Sequence, residues 1–313
     1  MVTKSKAPKK TPIAESFEDY FDGGKCGYLK IGQQYRQLFL EAVEDYFVRF
    51  KHHVYIAGQP GVGKTWTVEH MAELYPDMLF VGIKQNMSPW AFYKMMSVAV
   101  WKAKMSGKRL GVYIDDFNTI FKANSPFLDM FKNAMDKKSG DCIEYNVSLG
   151  SQLDNADDIE KQAIEYWKSL DPERTGFVIR FDGNVKFIFT MNTPLPGAQE
   201  VAKFKVGTDP WIKLNNRNAI RTRTKYEDLV MDKQTYWGWI ADVLWHEPEI
   251  CKGATYEQKF EMLNWLWDNW NSTSGHSLRF IEEDMWDIME RFPKRQDYLT
   301  RWAKLKGAGN EQE

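Results

Sequence analysis

Cysteine is scarce: Cys26, Cys142 and Cys251 are the only three in 313 residues, far apart and without a CxxC pair. That excludes a disulfide scaffold or a cysteine-based zinc knuckle and fits a reducing cytosol. No stretch approaches the roughly 18 consecutive apolar residues of a membrane span, so no membrane partner is expected. Lys4, Lys6, Lys9 and Lys10, with Pro8 and Pro12, are not followed by an apolar run, which is not the layout of a secretory signal. A soluble, cytoplasmic protein is expected. An excess of one charge is also missing. The 42 Lys and Arg against 43 Asp and Glu leave a formal net charge of −1. No global field therefore draws the chain to nucleic acid, although a local patch could. Internal repeats are lacking too.

What is present is an ordinary globular balance, 43% hydrophobic and 27% charged, in a chain long enough to bury a full core. Tryptophan is abundant: eight of the 13 fall between Trp237 and Trp302. Large aromatics at this density are expected to form the core of a helical subdomain, the alternative being an exposed aromatic docking surface.

Residues 1–14 are basic, proline-rich and poor in large apolar side chains, as a disordered tail would be. Phe39, Leu40, Val43, Phe47 and Val48 then recur at helical spacing. Short apolar runs at 53–57, 78–83, 110–114 and 185–190 read as strands. Helical stretches at 65–75, 90–104 and 127–135 lie between them. Alternation of this kind predicts an α/β fold with a parallel sheet between helical layers. Asn192 lies 76 positions after Asp116, farther than one crossover needs. Within that surplus 143–149 alternates like a strand, 156–170 reads as a polar helix, and Asp182-Gly183 predicts a β-hairpin joining 177–181 to the next strand. Past Met231 four helical stretches follow, at 234–245, 256–270, 278–291 and 296–305. The expected organisation is a tail (1–14), an α/β domain (15–231, with an inserted hairpin region at about 141–186) and an all-α subdomain (232–313).

Gly58-Gln59-Pro60-Gly61-Val62-Gly63-Lys64-Thr65 stands between an apolar strand and a helix, the context a phosphate-binding loop requires. Its glycines let backbone N–H groups turn inward at a positive helix N-terminus. Lys64 would place a mobile charge between β- and γ-phosphates, and the Thr65 hydroxyl would ligate magnesium. About fifty residues on, the strand Leu110–Ile114 ends in Asp115 and Asp116. Asp115 is expected to hold magnesium and Asp116 to orient or deprotonate the attacking water; a pair of helix-capping aspartates is the plainer alternative. The strand ending in Asn192 should lie beside the Asp115 strand, putting a side-chain amide near the γ-phosphate or the water. Arg221 and Arg223, with Arg217 upstream, are candidate arginine fingers. Arg279, at the start of a helix in the all-α subdomain, is a similar case.

In this order the motifs resemble those of the AAA+ ATPases, P-loop NTPases built as an αβα sandwich with an all-α lid. Thr190-Met191-Asn192-Thr193 followed by the arginine segment at 219–224 is most similar to the branch of MoxR chaperones, McrB and dynein-related ATPases, which carry a hairpin before the first sensor. The resemblance spans about residues 28–306. It implies ATP and Mg2+ as cofactors and self-association into a ring, usually a hexamer. It makes Asn192 the first sensor, Arg279 the second, and Arg221 and Arg223 a pair acting across subunits. Asp116 stands where most of the family has Glu, one methylene farther from the water. The divergent, Trp-rich sequence suggests a phage origin, which would place the protein in the host cytoplasm.

Three activities follow from that resemblance. The first is a ring that remodels a protein substrate or adaptor of unknown identity, with Lys84–Trp90 as its pore loop and Met87 and Trp90 as candidate grips, packing at the helix start being the equal alternative for Trp90. The second is a DNA-directed motor or helicase loader in replication, using tail lysines or Arg180 and Lys186 on phosphates. The third is a slow nucleotide-gated switch.

Overall fold

The computed structural model describes residues 25–84, 87–116, 126–136, 141–145, 156–173, 177–273 and 275–306. The N-terminal tail, residues 85–86 of the expected pore loop and residues 146–149 lie outside them. Two compact units form, one of residues 37–230 and one that joins residues before 37 to those from 231 onward.

The α/β unit begins in helix α1 (Lys25–Arg49), which continues from the other unit past Arg36. It proceeds through β1 (His53–Gly58), α2 (Lys64–Glu73), β2 (Met78–Ile83), α3 (Pro89–Ser106), β3 (Arg109–Asp115), α4 (Pro126–Met135), β4 (Cys142–Tyr145), α5 (Asp158–Leu170), β5 (Phe177–Arg180), β6 (Val185–Met191), α6 (Ala198–Val201), α7 (Asp209–Arg221) and β7 (Thr224–Leu229). Five strands make one parallel sheet in the order β2-β3-β6-β1-β7. Every residue of β1 and β6 is buried, which is why these strands read as unbroken apolar runs. With helices interleaved between its strands and the glycine-rich loop joining β1 to α2, this is a P-loop αβα fold with a helical C-terminal part.

The pairing of β5 differs from expectation. The turn is there, with Asp182 and Gly183 at φ of 51° and 77°. However, β6 is flanked by β1 and β3 and has no edge left to offer. β5 instead pairs antiparallel with β4, from Cys142↔Arg180 to Tyr145↔Phe177, in a separate ribbon. With β5 and β6 in different sheets, the hairpin no longer supports the resemblance to the MoxR and McrB branch. Sequence patterning also missed α7 and β7.

The helical unit contains α8 (Lys233–His246), α9 (Tyr256–Asn269), a π-helical segment Phe280–Trp286 running into α10 (Asp287–Arg291), and α11 (Arg295–Trp302). Trp237, Trp239 and Trp302 are buried in it, as the core reading of the tryptophans expects. Helices α1 and α8 meet at two glycines. A Cβ on Gly32 would come within 2.1 Å of the Gly238 backbone, and one on Gly238 within 2.0 Å of the Tyr28 carbonyl oxygen. Arg36 closes the same contact by pairing with buried Asp242 at 2.9 Å and with Glu247. No helix among the described residues is long and apolar enough to cross a membrane.

Candidate phosphate-binding and catalytic site

The phosphate loop leaves the C-terminal end of β1, the edge of a parallel sheet at which ligands bind. Gly61 and Gly63 take φ of 74° and 81°, the left-handed region that a residue with a Cβ adopts at a cost. Buried Val62 anchors the loop between them. Lys64 starts α2 and is only 6% exposed. Its ammonium donates to the Gly58 and Gln59 carbonyls, each at 2.8 Å, and to Asn192 Oδ1 at 3.1 Å. Burial pushes its pKa down from 10.5 to about 8, and the charges of Asp116 and Asp115 only partly oppose this.

Neighbouring strands supply the carboxylates and the amide. Asp115 ends β3 opposite Thr190 of β6. One of its oxygens accepts from the Thr65 hydroxyl at 2.9 Å and the other from the Thr190 hydroxyl at 2.7 Å. Thr190 is also 3.0 Å from the Tyr113 hydroxyl. Asp116 follows with φ of 47°, a left-handed conformation that Asp tolerates better than most side chains and that recurs at functional sites. Its N–H donates to the Thr190 carbonyl at 3.1 Å. Its carboxylate accepts from Asn192 twice, from the backbone N–H at 3.3 Å and from Nδ2 at 2.9 Å. Lys64, Thr65, Asp115, Asp116 and Asn192 therefore form one hydrogen-bonded cluster drawn from the ends of β1, β3 and β6.

Sequence patterning did not point to Thr190 or Tyr113 as site residues. Tyr113 shares a strand face with Asp115, two residues on, and Thr190 reaches Asp115 through the β3–β6 register; periodicity can indicate the first and only pairing the second.

The arginines are not brought to this cluster. The Arg221 guanidinium lies 4.1 Å from the Tyr226 ring centroid and donates to the Leu195 carbonyl. Arg223 donates to the Ala219 carbonyl at 2.9 Å and approaches Asp136 at 3.5 Å. It immediately precedes β7, whose first residue Thr224 pairs with His53 at the start of β1. The phosphate loop leaves the far end of β1, so the backbone at Arg223 lies the length of a six-residue strand away, roughly 17–20 Å. There Arg223 borders an open depression of about 630 Å³ that His52, Met135 and Lys225 help to line. Arg279 belongs to the helical unit, where it is exposed and 3.7 Å from Glu283.

Two other groups of expected contacts are engaged within the fold. Met87 and Trp90 pack against the α/β core instead of projecting as grips, and the Trp90 ring stacks on Tyr93 at 5.8 Å. Lys186 is buried in β6 with its ammonium 3.2 Å from the Gly183 carbonyl, so it is withdrawn from any phosphate. Arg180 faces Asp171 at 3.9 Å.

No family model and no curated protein matches the chain. Among solved structures, the Thermotoga maritima RuvB Holliday junction branch migration motor aligns with 87% of this chain and 69% of its own, at 14% identity and a TM-score of 0.40. C. elegans PCH-2 aligns over 92% and 70%, at 12% identity and a TM-score of 0.34. Likeness of this degree assigns no activity to the chain.

Proposed function

We propose that the chain is a magnesium-dependent ATPase of the AAA+ type, working as a ring, with six subunits as the expected number. The observation that carries this reading is the cluster itself. A buried lysine, a hydroxyl, two carboxylates and an amide are the parts that phosphoryl transfer to water requires, and here they are hydrogen-bonded together beside a loop with two left-handed glycines. The residues fit the cofactors. Thr65 and Asp115 present hard oxygen donors of the kind magnesium takes, and the inward-turned loop at the start of α2 suits a polyphosphate. When bound, magnesium would neutralise charge on the β- and γ-phosphates.

In this reading Gly58 to Thr65 enclose the phosphates, and Lys64 leaves the Gly58 and Gln59 carbonyls to face them. Asp116 accepts a proton from the attacking water, and Asn192 holds Asp116 and the water in line. Arg223 is assigned to a neighbouring subunit's phosphates, because its own loop is at the other end of the sheet. Arg221, bound to Tyr226 and Leu195, supports that segment from within. Arg279 is assigned as the second sensor, from a lid of residues 232–313 that follows a nucleotide-binding domain of residues 15–231.

For the partner, the protein-remodelling reading loses support from Met87 and Trp90, which pack inward. The nucleic-acid alternative gains from an exposed basic loop at residues 202–207. The test is phosphate release from ATP by the purified protein, with magnesium or EDTA, alone and with single-stranded DNA, duplex DNA or cell extract. Absence of both ATP binding and magnesium-dependent release would overturn the reading.

A further inference from the structure

Residues 203–225 hold seven cationic side chains against one carboxylate, Asp209, in a chain whose total charge is −1. Four of the seven are used internally. Arg221 and Arg223 bond to Leu195 and Ala219, Lys225 faces Glu227 at 3.7 Å and Asp45 at 3.9 Å, and Arg217 is partly buried and engaged within the fold. The other three, Lys203, Lys205 and Lys213, are exposed and pair with no carboxylate among the described residues.

Two of these lysines alternate with apolar side chains held out in water: Phe204 is 42% exposed and Val206 73%. All six residues from Ala202 to Gly207 are exposed, yet the loop has internal structure. The Phe204 N–H donates to the Val201 carbonyl at 3.2 Å, and Thr208 donates to the Lys205 carbonyl through its N–H at 3.2 Å and its hydroxyl at 2.7 Å. Gly207 takes the reversal at φ of 84°, a conformation that strains other residues. Presenting a phenyl ring and an isopropyl group to solvent forfeits the stabilisation that burial would give them.

A ring between unpaired ammonium groups is the combination that binds single strands without sequence preference, the cations tracking the backbone and the ring stacking on a base. An acidic protein surface would answer the lysines but offers Phe204 no base to stack on. A duplex offers phosphates but keeps its base faces inside the stack. We propose that the loop of residues 202–207, with Lys213 of α7, is a contact site for single-stranded nucleic acid. The inference stands on this surface and does not depend on ATP hydrolysis.

The test is fluorescence anisotropy of a labelled oligothymidylate of about thirty nucleotides with the full-length chain, at salt from about 50 to 200 mM. Wild-type protein should bind at the low end and weaken steeply with salt. Lys203→Gln with Lys205→Gln should lower affinity roughly tenfold and flatten the logarithmic salt slope by about 1.4, since each phosphate that a lysine neutralises contributes about 0.7. Phe204→Ala should lower affinity by about tenfold with the slope unchanged. All variants should keep the wild-type thermal midpoint and basal ATP hydrolysis. The proposal is overturned by no binding at low salt, by variants that bind as wild type does, or by polyglutamate displacing the oligonucleotide as well as unlabelled oligothymidylate.

Discussion

Replacing Lys64 with methionine should flatten the pH dependence of stability in the mildly alkaline range. The Lys64 ammonium is buried, and burial pushes its pKa down from 10.5 to about 8. In the unfolded chain the group returns to its ordinary value, so between these two pH values the unfolded state binds more protons than the native state. Stability therefore rises with pH through that window. The full displacement corresponds to about 3 kcal/mol, of which about 2 kcal/mol is gained between about pH 7 and 9.5. Methionine has nothing to titrate and lacks this gain. It also gives up bonds to Gly58, Gln59 and Asn192, which sets the offset between the two proteins but not the slope of their difference. Urea unfolding of both proteins without nucleotide, at steps from about pH 7 to 9.5, reads that slope directly. Parallel curves would refute the argument, since they would mean that Lys64 is as well solvated in the folded protein as in the unfolded chain. Because phosphates would hold Lys64 in its charged form, nucleotide affinity should fall above about pH 8, by roughly thirtyfold at pH 9.5. The methionine variant should not bind nucleotide.

Asp116→Asn should retain ATP binding and lose hydrolysis by at least about 10²-fold, measured as phosphate release beside a fluorescent-nucleotide titration; release at the wild-type rate would remove Asp116 as the base. Arg223→Ala should bind ATP normally and fail to hydrolyse it, and mixing it with Asp116→Asn protein should restore part of the activity, because each variant supplies what the other lacks. Wild-type turnover by Arg223→Ala alone would withdraw the assignment. Arg221→Ala should instead lower thermal stability by about 1–3 kcal/mol, because it removes the cation over the Tyr226 ring and the bond to Leu195. An unchanged melting temperature would show those interactions to be idle.

The strands most plainly legible in the sequence include two that are buried on both faces. His53–Gly58 and Val185–Met191 have every residue buried, so their apolar runs follow directly from where they lie. Thr224–Leu229 borders only β1 among the described strands. One edge and part of one face are enough to hold it there, and Lys225, Glu227 and Asp228 erase the alternation that would have marked it. Helix α7 escaped for a related reason. Asn215, Asn216 and Asn218 are poor helix formers, and only Ile220 of its 13 residues is fully buried. Neither composition nor periodicity advertises such a helix. The Asp182-Gly183 turn was legible because a turn is a local event. Which strand accepts β5 was not, because that is decided by the edges left free after β1, β3 and β6 have joined.

The same division runs through the site. Lys64, Thr65 and Asp115 are specified by loop chemistry and by the end of one strand, and the Thr65–Asp115 hydrogen bond closes across 50 positions of sequence at 2.9 Å. The coupling of Asp116 to Asn192 depends on a left-handed residue and on the β3–β6 register, neither of which an Asp-Asp pair announces. The arginine segment is the instructive case, because its motif was visible while its placement was not. Motif order alone sets Arg221 and Arg223 side by side as equivalents. The fold gives them different work: Arg221 leans over Tyr226 toward Leu195, while Arg223 stays at the end of the sheet where β1 begins, the end opposite its own phosphate loop. A parallel sheet imposes that separation, since every strand carries its ligand-binding end to the same edge. A residue fixed at the start of one strand is thereby held away from the phosphate loop of its own chain.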